Sequence, residues 1–218
     1  MSGNPAVLFL CVVLCGCTTL RMVSQPTAGD MDLQAMLDEA VSGEVVHVPR
    51  GTYVLRKGLR ITRDNTVLAC EPGTRIHITN VDEDIITVHS VTNVRIENAH
   101  LSHVKPLKEY DCHGRVVDIR DADGVTIVNC DLNGCGAVGV CAWNSQDLRI
   151  EHCWIHANTW NALYLHGCRE VLLLANLIED NANFLQMDDS TGFEASDNVV
   201  RNNGGYWREK DESPGLLD

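Results

Sequence analysis

One feature restricts the fold of this chain more than any other: a short segment recurs five times. VRIENAHL begins at Val94, VTIVNCDL at Val125, LRIEHCWI at Leu148, VLLLANLI at Val171 and FEASDNVV at Phe193. The steps are 31, 23, 23 and 22 residues, the first lengthened by an insertion over 103–114. A period of this size marks a chain built of stacked units, each burying its apolar face on its neighbours.

Within each unit the alternation is that of strands. Val117-Asp118-Ile119, Val140-Cys141-Ala142, Leu163-Tyr164-Leu165 and Leu185-Gln186-Met187 place every second residue inward. A second run, such as Val125-Thr126-Ile127 or Leu148-Arg149-Ile150, does the same. A third apolar position follows at Leu101, Leu132, Ile155, Ile178 and Val200, and before it stands a small or amide column, Ala99, Cys130, Cys153, Asn176 and Asn198. No two-residue turn signal separates the runs, so they cannot be hairpins. Three short strands per unit make one coil of a solenoid instead, each strand pairing with its equivalent one coil on, and inward asparagines stack on their own copies. Val125, Ile127, Val140, Ile150, Leu163, Leu165, Val171, Leu173, Leu185 and Met187 are the predicted core. Cys130 and Cys153 share an inward column one coil apart, as a disulfide or as two small apolar stackers.

With this period, the chain resembles the pectin-lyase-like, right-handed parallel β-helix family. Its opening, Gly43-Glu44-Val45-Val46-His47-Val48-Pro49-Arg50-Gly51-Thr52-Tyr53, is similar to the family's G-x-V-x-V-P-x-G-x-Y. Leu33, Met36, Leu37, Ala40 and Val41 precede it at helical spacing, with Asp30 a candidate N-cap. The resemblance implies an all-β fold, a single right-handed parallel β-helix of six to seven coils over 30–205, its N-terminal end covered by that helix. A polar tail over 206–218 follows, which leaves the last coil as a place for end-to-end protein contact.

Composition narrows the functions. Seventeen basic against thirty acidic residues give a net charge of −13, which excludes a general nucleic-acid binder, because phosphate affinity needs Lys and Arg. At the N-terminus, the apolar run Ala6–Leu14 is too short to span a bilayer and is followed by Cys15-Gly16-Cys17. It reads as a signal peptide over 1–16, followed by a linker over 17–29. Leu14-Cys15-Gly16-Cys17 resembles the lipobox of bacterial lipoproteins, which implies Cys17 as the lipid anchor, attachment to the membrane through that anchor alone, and an exported protein.

In the family the resemblance points to, substrates lie along the outer face of the first sheet. The repeat register puts two outward columns there: Thr87, Asp118, Cys141, Tyr164 and Gln186, then His89, Arg120, Trp143, His166 and Asp188. An aromatic ring stacks on a sugar face, while an imidazole, a phenol and a carboxylate can move protons. Tyr164, His166 and Asp188 are therefore the catalytic candidates. Trp143, Arg120, Asp118, His89 and Gln186 are the substrate-binding ones, with Lys105 and Lys108 of the insertion overhanging. Asp118 and Asp188 stand three coils apart, about 14 Å, too far for the carboxylate pair of a glycosidase. Asp188-Asp189 and His166-Gly167 resemble elements of polygalacturonases in reversed order, without the accompanying Asn-x-Asp and Arg-x-Lys. No carboxylate cluster suited to calcium assembles, so no cofactor or metal is expected. Two classes remain open: a glycan-binding or structural surface protein, and a polysaccharide lyase, hydrolase or epimerase.

Overall fold

The computed structural model describes residues 31–104, 112–134 and 137–204. The expected signal peptide, the anchor Cys17, the linker, the tail, and most of the insertion with Lys105 and Lys108 lie outside them.

Every strand pairing is parallel, and each strand meets its own equivalent one repeat away. Six rungs form the first sheet: Leu59–Ile61, Ile86–His89, Val117–Arg120, Val138–Trp143, Asn161–His166 and Asn183–Asp188. The second and third runs of each coil join in one larger sheet of twelve strands. Two of its members, Val67–Ile78 and Thr92–His103, carry both runs as a single bent strand, where three separate strands per coil were expected. Side chains between the sheets form one continuous core, with Ile127, Val140, Ile150, Leu163 and Leu173 essentially inaccessible.

The corners explain why a short repeat closes into a coil. Ser90, Asp121, Asn144, Gly167 and Asp189 follow the first-sheet strands, and all have positive φ, between 48° and 63°. Asn98, Asn129, His152, Ala175 and Asp197 do the same at the next corner. The first corner has a second such residue three positions on, Asn93, Gly124, Asp147, Glu170 or Gly192, and the chain turns through these single residues in the left-handed region, which Asn, Asp and Gly tolerate best. Just inside it the amide column forms a ladder: the Cys153 N–H donates to Asn176 Oδ1 at 2.8 Å and the Asn176 side-chain amide to Asn198 Oδ1 at 2.9 Å. Asn158, Asn181 and Asn203 build a second buried ladder that the repeat reading did not mark, although their spacing of 23 and 22 residues is the same signal. Cys130 and Cys153 are free thiols, each donating to a backbone carbonyl at 3.3 Å.

Both ends correct details of the sequence reading. The helix is Leu33–Glu39 and its N-cap is Asp32, not Asp30, because the Asp32 carboxylate accepts the Ala35 N–H at 3.0 Å. Leu33 and Leu37 are buried, but Val41 lies past the end of the helix at Ala40 and is exposed. The Gln34 side chain pairs with the Arg60 backbone in both directions, at 2.8 and 3.1 Å, and so closes the edge of the first rung. At the other end, Met187 keeps the register of an inward residue opposite Leu165 yet is 43% exposed, and Leu185 is only partly buried. Their rung is the last of its sheet among the described residues, so nothing described stacks on its far side.

Candidate functional site

Both outward columns exist as read. Thr87, Asp118, Cys141, Tyr164 and Gln186 are aligned across five rungs, and so are His89, Arg120, Trp143, His166 and Asp188. At the spacing of parallel strands the stripe from His89 to Asp188 runs about 19 Å.

The stripe divides chemically in two. At the end nearer the C-terminus, the Trp143 ring lies between neighbours, 5.2 Å from Tyr164 and 4.7 Å from His166 between centroids. Its indole N–H donates to Cys141 Sγ at 3.2 Å, and burial pushes that thiol up to about 11. The ring rests on a small satellite cluster of Ala137, Val138 and Cys141, fixed but still half-open to solvent. The Asp188 carboxylate accepts from the Gln186 amide at 3.1 Å. Burial first, then the Asp188 charge, raises the Tyr164 phenol above its ordinary value, so it stays protonated. His166 packs against Trp143, while Asp188 takes its hydrogen bond from Gln186.

The other half is an ion-pair knot around Asp118. Its carboxylate is 0% exposed. One oxygen takes Arg120 Nε at 2.7 Å and His89 Nε2 at 2.9 Å, and the other faces Arg115 Nε at 3.5 Å. Asp118 therefore cannot touch a ligand, contrary to the sequence expectation: it points outward, but two guanidinium groups and an imidazole enclose it. Its work is to hold Arg120 and His89, whose side chains remain partly exposed, in the stripe. Arg115, which the column reading missed, also approaches Asp84 at 3.6 Å, and burial raises that carboxyl.

Beyond His89 the stripe opens into a groove of about 860 Å³. Arg60 and Thr87 contribute from the sheet, Arg56 and Lys57 from the preceding turn, and Gln34 from the helix. Among the described residues, no group of three or more His, Cys, Asp or Glu is placed to hold a metal ion.

The chain is similar in structure to ORF18 of Geobacillus virus E2, with a TM-score of 0.61 and 18% identity, over 78% of this chain and 37% of that one. A protein from Parabacteroides merdae proposed to be a glycosyl hydrolase aligns with a TM-score of 0.57 at 12% identity, covering 72% and 82% of the two chains. An alginate lyase from Paenibacillus aligns with a TM-score of 0.56 at 12% identity, covering 81% and 67%. At such identities the likeness is one of fold. No curated protein sequence matches. A family model described as a right-handed β-helix region matches residues 58–209, the span that carries the repeats, the corner residues and the stripe. By that match over most of its length, the chain belongs to the right-handed β-helix family.

Proposed function

We propose that this is an exported polysaccharide-interacting protein that seats a glycan along the outward stripe of its first sheet. The observation that carries the reading is the setting of Trp143: a half-open ring, held by Cys141, Tyr164 and His166, in line with a groove. A rigid aromatic face next to hydrogen-bonding side chains binds the apolar side of a sugar at little conformational cost. The alginate lyase and the proposed glycosyl hydrolase that share the fold support a polysaccharide as partner. Lipid anchoring through Cys17 and end-to-end contact at the last rung belong to the same proposal.

A second reading, an active enzyme, is favoured by the setting of Tyr164 and His166, two residues apart on one strand and both against Trp143. A phenol held protonated by burial and by the Asp188 charge is a proton donor, and the imidazole of His166, in the next column, is the matching acceptor. This division suits a lyase or epimerase, which removes one proton and delivers another, better than a hydrolase needing two spaced carboxylates.

Binding and turnover separate the two readings. With a panel of alginate, polygalacturonate and neutral glucans, Trp143→Ala is expected to weaken binding of the preferred polymer about three- to tenfold in calorimetry. Unchanged affinity for every polymer would remove the stripe as the binding face. If the protein turns over substrate, Tyr164→Phe and His166→Ala each abolish the ultraviolet signal of unsaturated products, or the C-5 inversion seen by NMR, while binding persists. Turnover that survives both changes together would end the catalytic reading and leave the binding one standing.

Cys17→Ser is expected to move the protein from the membrane fraction to the soluble one in fractionated cells. A distribution identical to that of the parent would exclude Cys17 as the anchor.

A further inference from the structure

A second ordered cluster lies on the outer face of the other sheet, away from the stripe. Asp131 and Trp154 are partners in adjacent strands, and His100 pairs with Asp131 from the strand before. The Asp131 carboxylate accepts from His100 Nδ1 at 2.6 Å on one oxygen and from His156 Nε2 at 2.8 Å on the other. Burial would raise this acid, but the two imidazole donors outweigh it and hold the carboxyl at about 2. The Trp154 ring lies parallel to His156, with centroids 3.7 Å apart and planes 14° apart. Its indole N–H donates to Glu179 Oε1 at 3.0 Å, and Glu179 is fixed in turn by Arg201 at 2.7 Å.

We infer that this cluster is a second carbohydrate site, specific for uncharged sugars and independent of the first-sheet stripe. Trp154 is 41% exposed. One face of its ring is covered by His156 and its polar edge is pinned by Glu179, so the face left to solvent is held in place. Packing alone does not call for such a frame: Trp160 is 49% exposed with no polar frame among the described residues. Because each histidine spends one nitrogen on Asp131, His100 Nε2 and His156 Nδ1 have no protein partner among the described residues. His156 Nδ1, on the imidazole stacked against the ring, and His100 Nε2, in the same column beyond Asp131, are fixed hydrogen-bonding atoms for hydroxyls. The carboxylates of Asp131 and Glu179 set the charge around Trp154, with Arg201 paired to Glu179 and Arg75 further off, in the column beyond His100. They accept from sugar hydroxyls and repel a uronate.

The test uses the protein with its tryptophans ¹⁵N-labelled, titrated with cellohexaose, mannohexaose and hexagalacturonate while the indole N–H signals are followed by NMR. Signals are assigned from single Trp→Phe variants. Cellohexaose or mannohexaose is expected to shift the Trp154 signal to saturation with Trp160 unmoved, and hexagalacturonate to leave Trp154 in place. The shift is expected to persist in Trp143→Ala, which disables the stripe, so failure of one site is read apart from failure of the other. His100→Ala, which leaves the ring intact, is expected to weaken the neutral-sugar titration about three- to tenfold. A Trp154 signal unmoved by both neutral probes at millimolar concentration overturns the proposal. So does a shift that disappears in Trp143→Ala, or a stronger response to hexagalacturonate.

Discussion

Asp118→Ala is expected to destabilise the fold by about 1–3 kcal/mol, although it removes a side chain from the outside of a sheet. The carboxylate is wholly enclosed by Arg115, Arg120 and His89. Without it, Arg120 and His89 lose the carboxylate that holds them, and Arg115 keeps only its approach to Asp84 at 3.6 Å. The loss comes from several hydrogen bonds to one enclosed charge given up together, softened because the three partners are partly exposed. Urea unfolding measures it. A cost below about 1 kcal/mol would be that of a solvated surface pair and would mean that water reaches Asp118. Arg120→Ala, whose guanidinium is partly exposed, is expected to cost less and to relax His89 and Arg115 around the same acid.

Ile150→Asp is expected to prevent folding. Ile150 is buried at 1% exposure between Ile127 and Leu173, its partners in the adjacent rungs. A lone carboxylate there costs several kcal/mol against the roughly 5–15 that a domain has in hand. Ile150→Val, which removes one methylene, should cost only about 0.5–1.5 kcal/mol and keeps the comparison on charge rather than volume. Circular dichroism and the yield of soluble protein separate the outcomes. If the Asp variant melted like the parent, the strand would be out of register by one residue.

The fold was legible because a solenoid writes its geometry into the sequence as a repeat. Once Val125, Leu148 and Val171 were aligned, strand alternation fixed which residues face in and which rungs pair, and Trp143, His166 and Asp188 fall in one column as that arithmetic requires. Alternation gives direction and not cover, however. Asp118 alternates outward just as Tyr164 does, and only the reach of Arg115 and Arg120 from the same strand region buries it. Side-chain partners within the stripe were equally hidden: Asp188 lies one rung from His166 but takes its hydrogen bond from Gln186. The Asp131–Trp154 cluster escaped because its members occupy third strands only three residues long, where period-two patterning has too few positions to stand out. Asn158, Asn181 and Asn203 could have been found by extending the repeat alignment into the loops.

Every rung touches only the rung before and the rung after, so cohesion in this molecule is distributed along a line. In such a linear array, local opening starts from whichever terminus is least supported and proceeds inward by unzipping. Among the described residues that terminus is the Asn183–Asp188 rung, where Met187 is left open. Asp188 and Gln186 sit on it and Tyr164 on the rung before, so these members of the stripe ride on the least supported of the described rungs. A polymer lying from Trp143 to Asp188 would act as a splint across those rungs, and occupancy of the stripe and integrity of the terminal coil become one equilibrium.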